Sequence, residues 1–343
     1  MDLVKLHQFR NDIVLVDGMW GVGKSAVTPI ISSMRGMEKK RIDPTIEYLT
    51  TLTWLKLIDP TAARALVATF ADYFTYHNAI GREVNLRISD DSGLKNSPGA
   101  MRYIRRLFSK DGDQIQAHID DTNSGTLLVT DFSVLGIDLL RQALGSRLRF
   151  IEIVRHPLYL VNYVNSYLRD FHRQREFTLS FDFQGHKVPW IAQSWCSEYA
   201  SSNIDEKTLL LIARSQEAIL QSMTGSDLLI LSFEQFVTDT QLCIDQIISY
   251  LGRPVHYSTR RAMKRHRLPR LNVSAGRKSN SRSWISSKTE NESEIYRRLW
   301  TATKATVSES TWREFQDAIN KYELTFPSRL TTIGSALQGH SQG

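Results

Sequence analysis

The chain has 343 residues, of which 41% are hydrophobic and 23% charged, and it carries a net charge of +7. This is the composition of a globular protein with a sizeable core, and no apolar run approaches the roughly 18 residues of a membrane span. The two cysteines, Cys196 and Cys243, make neither a disulfide framework nor metal-ligand spacing, and residues 1–7 lack the apolar stretch of a secretory signal, so a cytoplasmic, metal-free protein is expected.

The first predicted element is Ile13-Val14-Leu15-Val16, a short β-branched run bounded by Asp12 and Gly18 that reads as a buried strand. Directly after it stands Gly18-Met19-Trp20-Gly21-Val22-Gly23-Lys24-Ser25, a match to the phosphate-loop pattern G-x-x-x-x-G-K-[ST]. A helix is expected from Lys24 to about Met34, with Pro29 early in it. Strand, glycine loop and helix is the order that lets Gly18, Gly21 and Gly23 turn backbone N–H groups around a phosphate. Lys24 adds a mobile charge there, and the helix N-terminus adds its dipole.

A largely helical stretch follows from Ile46 to Ala79, broken near Asp59-Pro60, and then a polar loop from Gly81 to Gly99. A second buried strand, Thr126 to Thr130, ends at Asp131, and a helix spans Ile137 to Leu144. A third strand, Arg149 to Val154, ends at Arg155-His156-Pro157, with a helix after it to about Phe171. Phe177 to Phe183 alternates, turns at Gln184-Gly185 and returns through His186 to Val188, which predicts an inserted hairpin. A long helix from Asp205 to Met223 precedes a fourth core strand, Asp227 to Phe233. The next helix stops at Leu251-Gly252-Arg253-Pro254. The last helices run from Glu292 to Tyr322, and the polar tail after Pro327 is expected to fray.

Strands alternating with helices predict an α/β fold of three layers, a mainly parallel sheet covered by helices on both faces. We expect one domain over residues 1–325, with helical and hairpin insertions at about 46–110 and 172–205 on the acceptor side, and a flexible tail at 326–343.

Three further places carry chemistry. Asp131 lies at a strand's carboxyl end, where it can hold Mg²⁺ together with the Ser25 hydroxyl, act as a general base, or cap the next helix. Arg155 also ends a core strand, the edge of the sheet outside which ligands bind, and can meet a phosphate bidentately or pair with a surface carboxylate. Finally, nine Lys or Arg and no Asp or Glu fall between Arg260 and Arg282, so the basicity belongs to one segment. It reads as an anion site, a nucleic-acid surface or a solvated loop. Within it, Gly276-Arg277-Lys278-Ser279-Asn280-Ser281-Arg282-Ser283-Trp284 has the small residues and cations of a loop closing over an anion.

Taken together, these segments resemble the sulfotransferases that use 3′-phosphoadenosine 5′-phosphosulfate (PAPS), in pieces spread over residues 12 to 290. Arg155-His156-Pro157 is similar to their R-[ND]-P turn. Leu228 to Phe236, continuing to Tyr250-Leu251-Gly252-Arg253-Pro254, resembles their YEDL … FLG-x-P segment. Arg277-Lys278 with Trp284 resembles their late RKG-x-x-G-x-W loop. The resemblance implies PAPS as co-substrate, held by Gly18, Gly21, Gly23, Lys24, Ser25, Arg155, Tyr163, Phe233, Arg277, Lys278 and Ser279. Tyr163 stands where many members have serine, and Phe233 stands at the position near adenine. Lys24 and Asp131 would be catalytic, with Asp131 in place of a histidine base.

The implied activity is sulfuryl transfer to a hydroxyl or amine of a small-molecule or carbohydrate acceptor, with Trp190, Trp195 and Tyr199 as candidate pocket walls. Lys24 directly follows Gly23, as in kinases and NTPases, so a P-loop kinase using ATP or GTP with Mg²⁺ is the alternative. A nucleic-acid partner accounts for the basic segment but not for the glycine loop.

Overall fold

Strand β1, Ile13–Asp17, is buried along its whole length because it lies between two neighbours in a parallel sheet. The computed structural model describes residues 3–333 except 83, 91–92, 97–98, 107, 109–112, 172, 174–176, 226, 274–275, 278–283, 286–290, 329 and 332. Helix α1 (Lys24–Ile31) follows the glycine loop and stops three residues short of the expected end, two residues after Pro29. Then come β2 (Met37–Ile42), α2 (Thr45–Trp54), α3 (Pro60–Ala79), α4 (Ala100–Arg106) and α5 (Asp113–Thr122). The core resumes with β3 (Gly125–Val129), α6 (Ile137–Leu144), β4 (Leu148–Val154) and α7 (Val161–Arg169). The inserted hairpin is β5 (Ser180–Phe183) with β6 (His186–Pro189), followed by α8 (Cys196–Ser201) and α9 (Ile204–Ser222).

The last core strand is β7 (Leu228–Ser232), followed by α10 (Phe233–Thr238), α11 (Thr240–Leu251) and α12 (Tyr257–Arg265). A two-residue pair, β8 (Gly276–Arg277) with β9 (Trp284–Ile285), precedes α13 (Glu292–Lys304) and α14 (Glu309–Thr325).

The sheet order is β2-β3-β1-β4-β7, and every pairing is parallel. The chain therefore builds one side of β1 first and then crosses to the other. The carboxyl ends of β1, β3 and β4 diverge at that switch point, where ligands bind in open α/β sheets. Burial on both faces is why β1, β3 and β4 read as mainly apolar runs, with Glu152 a lone carboxyl inside β4. Among the described residues no helix is long and apolar enough to cross a membrane.

Edge strand β2 was not expected, because Met37-Glu38-Lys39-Lys40-Arg41-Ile42 has no apolar run. Its register on β3 pairs Met37 with Gly125 and Lys40 with Leu127. Buried Glu38 is satisfied from outside the strand. Its carboxylate accepts from Arg106 Nη1 at 2.8 Å and Nη2 at 2.9 Å, from Arg102 Nη2 at 3.4 Å, and from the Tyr103 hydroxyl. Burial alone would raise its pKa, but the Arg106 bonds and the charges of Arg102 and Arg106 win and hold it below the usual carboxylate range. Helices α4, α5 and α12 were also unforeseen, since they are short and polar. The helix expected after β7 is two, α10 and α11, and α11 ends where left-handed Gly252 stops it.

Helices α13 and α14 fix the turn after β4 through a buried polar network. His156 N–H donates to Glu234 Oε1 at 3.1 Å, and the Tyr322 hydroxyl donates to Glu234 Oε2 at 2.5 Å. His156 Nε2 lies 3.1 Å from Glu323 Oε1, which also accepts from the Tyr296 hydroxyl at 3.2 Å. Each of these buried polar groups thus has a partner, which holds the backbone at Arg155 in one place.

Candidate functional site

The glycine loop is wedged between residues from three other elements. Gly21 has φ 81°, and a Cβ there would meet the Tyr163 ring at 2.6 Å. Gly23 has φ 102°, and a Cβ there would stand 2.2 Å from the Phe233 ring. Glycine is required at both by backbone and by space. Tyr163 comes from α7 and Phe233 opens α10, so two of the anticipated site residues touch the loop directly. Gly18 lies against the Ile153 carbonyl of β4. Ser25 is exposed on the first turn of α1. Trp20, inside the loop, packs edge-on against Phe132 at 5.1 Å between centroids and against Tyr167 at 4.5 Å.

At the end of β3, Lys24 Nζ donates to Asp131 Oδ1 and to the Gly18 carbonyl, with the Met19 carbonyl at 3.4 Å. The next residue, Phe132, has φ 56°, a left-handed conformation costing a bulky residue about 1–3 kcal/mol. Trp20 and Trp190 pack on its ring and hold it there. Asp131 N–H donates to Glu47 Oε2 of α2 at 2.9 Å. Burial first, and the Asp131 charge second, push the Glu47 carboxyl up to about 8.

Two more carboxyls lie underneath. Asp17 ends β1, accepting from Thr130 Oγ1 and from Val134 N–H, both at 2.8 Å, and it pairs in register with Glu152 of β4. Both Glu152 oxygens are buried and receive no donor among the described residues. Burial, with the Asp17 charge next, drives the Glu152 pKa well above the usual value. Asp17 is also raised by burial, against the pull of Lys24. Lys24 is held charged despite burial, by Asp131 and then Asp17.

Arg155 lies on the other side of β1, at the end of β4. Its Nη1 donates to the Gly21 carbonyl at 2.8 Å, and its guanidinium lies 4.5 Å above the Phe233 ring. Its Nε is buried with no partner, and it forms no ion pair among the described residues. Burial lowers its pKa against the opposing pull of Glu234. Its carbonyl accepts from Gln216 Nε2 at 2.6 Å.

The structure thus brings together Gly18, Gly21, Gly23, Lys24, Ser25, Asp131, Arg155, Tyr163 and Phe233 at one end of the sheet. The backbone of Arg277 pairs with Trp284, while Lys278 and Ser279 lie outside the described residues. Trp190 and Tyr199 are buried in the main core, and Trp195 stacks under the Arg214 guanidinium at 4.5 Å, so Trp190 and Tyr199 act as packing and not as open pocket walls. Sequence reasoning missed Glu47, Asp17, Glu152 and Arg270. A signal existed for Glu152, a lone carboxyl in an apolar strand, and for Asp17, a carboxyl directly before Gly18. Glu47 looks like any helix glutamate.

No protein-family model matches the chain, and no curated protein matches it. Among solved structures it is similar to the sulfotransferase domain of the Synechococcus PCC 7002 olefin synthase, at 12% identity and TM-score 0.41, over 94% of this chain and 98% of that one. It is similar to the sulfotransferase domain of the curacin biosynthetic pathway at 12% identity and TM-score 0.41, over 92% and 99%. Mouse sulfotransferase SULT7A1, complexed with PAP, is similar at 10% identity and TM-score 0.40, over 96% and 90%. Likenesses this distant assign no activity, and the chemistry rests on the residues above.

Proposed function

We propose that this chain is a sulfotransferase that moves the sulfuryl group of PAPS to a hydroxyl or amine of a small-molecule or carbohydrate acceptor. The observation that carries this reading is Arg155. It is a buried guanidinium in no close ion pair among the described residues, with Glu234 acting on it only from farther off, and it is fastened to the glycine loop on the side of β1 opposite Lys24. Two strand spacings separate the ends of β3 and β4, on the order of 10 Å. Two cationic centres so placed suit a nucleotide with anionic groups at two points of its ribose.

In this reading the loop amides and Lys24 hold the 5′-phosphosulfate and stabilise charge on the leaving phosphate oxygen. Arg155, with Arg277 and Lys278, holds the 3′-phosphate, Ser25 and Ser279 contact the phosphates, and Phe233 and Tyr163 wall the nucleotide. When Lys24 turns from Asp131 to the phosphosulfate, Asp131 is released. The carboxyl pair Asp131–Glu47 then takes the acceptor's proton as the acceptor oxygen or nitrogen bonds to sulfur. The bond from sulfur to the bridging oxygen breaks in line, and its electron pair leaves with the phosphate. Glu47 is suited to this exchange because its pKa lies near neutrality.

A P-loop kinase using ATP or GTP with Mg²⁺ is the second reading, favoured by Asp131 standing beside Lys24, with Ser25 the next residue of α1. Thermal unfolding with each ligand separates the two. A ligand at 100 times its Kd adds about 2.7 kcal/mol of stability. Stabilisation by adenosine 3′,5′-bisphosphate is expected. Stabilisation by ATP–Mg²⁺ with none by the bisphosphate would overturn the sulfotransferase reading.

A further inference from the structure

Arg270 falls inside the basic segment from Arg260 to Arg282 but in none of the named motifs, and it lies at the same ring as Arg155. Its guanidinium is 6.0 Å from the Phe233 centroid, where Arg155 stands at 4.5 Å and the Gly23 backbone abuts the ring edge. The placement is built in. Arg270 N–H donates to the Val237 carbonyl of α10 at 2.6 Å, its Nη2 donates to the His266 carbonyl at 3.3 Å, and the preceding Leu268 is buried. One ring therefore gathers the glycine loop and two guanidiniums. Burial, followed by the Arg155 charge, pulls the Arg270 pKa down to about 10. Two like charges held this close in a part-buried place repel, and an anion seated between them reverses the sign of that interaction.

We propose that Arg270 is a phosphate-binding residue. Paired with Arg155 at the Phe233 ring, it selects nucleotides that carry a second phosphate apart from the one on the glycine loop. This rests on the reading of a bisphosphorylated nucleotide given above, and it adds a residue that the sequence motifs do not supply. The planar guanidinium suits the role, because it offers a phosphate two donors while stacking on an aromatic face.

The test is a ratio measured on the full chain. Affinities for adenosine 3′,5′-bisphosphate and for adenosine 5′-monophosphate are obtained by calorimetry for wild type and for Arg270→Met, which keeps the length of the side chain and its contact with the ring. Loss of a charge-assisted bond predicts a drop of about tenfold or more for the bisphosphate and a change within about twofold for the monophosphate. Equal changes for both nucleotides, or no change for either, would overturn the proposal. If Arg270→Met does not fold, the ratio is read on Arg270→Lys, which retains the charge but not the planar fork, with a selective loss of about threefold expected. A wild-type chain with no preference for the bisphosphate over the monophosphate would instead defeat the underlying reading of the nucleotide.

Discussion

Glu47→Gln tests the carboxyl cluster around Lys24. Glutamine keeps the side chain's shape and an oxygen for the Asp131 N–H bond, but it cannot ionise. In the folded chain burial, reinforced by the Asp131 charge, moves the Glu47 carboxyl from 4.5 to about 8. Between those values the unfolded chain has released its proton while the folded chain retains it. Wild-type stability therefore falls as pH rises through that window and levels off above it. The slope is about 1.4 kcal/mol per pH unit, and the whole span is at most about 5 kcal/mol. The glutamine variant lacks this slope. Its advantage over wild type is near zero at about pH 4.5, about 2 kcal/mol near pH 6, and largest above about pH 8. Urea unfolding followed by tryptophan fluorescence across this range measures it, provided the m-value is unchanged. The same variant loses transfer activity while gaining stability, the trade-off expected of a charge kept for function. A stability difference that does not vary with pH, or a variant less stable than wild type near pH 9, would refute the reasoning.

Other perturbations probe the frame around the site. Gly23→Ala places a Cβ 2.2 Å from the Phe233 ring at φ 102°. It should destabilise by about 1–3 kcal/mol and abolish stabilisation by nucleotide, both read by thermal unfolding with and without adenosine 3′,5′-bisphosphate. Glu38→Gln leaves Arg102 and Arg106 without their buried counter-charge, at a cost of about 3–5 kcal/mol near neutral pH. Because Glu38 titrates below its usual 4.5 when folded, its contribution is present above about pH 4.5 and is lost as pH falls through the folded value. Acid unfolding followed by circular dichroism should show a shallower acid limb in the variant. Lys24→Met should remove nucleotide stabilisation and leave half-buried Asp131 beside Glu47 without its cation, which moves Glu47's titration further upward, a change readable by carboxyl NMR.

Local chemistry made the phosphate loop legible. Its glycines, its lysine and the strand before it are contiguous, so a stretch of a dozen residues states both the backbone shape and the ligand's charge. The strands buried on both faces were legible for a similar reason, since a central parallel strand is apolar along most of its length. Strand β2 was not, because four charged residues fill its middle, and its buried carboxylate is satisfied by α4, far along the chain.

The sequence by itself determined that a glycine loop of the phosphate-binding pattern follows β1, and that Arg155 and Asp131 end strands. Only the tertiary structure decided who stands beside whom. The order β2-β3-β1-β4-β7 sets Lys24 with Asp131 on one side of β1 and Arg155 on the other. The same order lays Asp17 against Glu152, and the packing of α2 and of the chain after α12 brings in Glu47 and Arg270. These pairings join residues tens to more than a hundred positions apart. Their pKa values depend on burial and on neighbouring charges, and no local pattern of residue types records either.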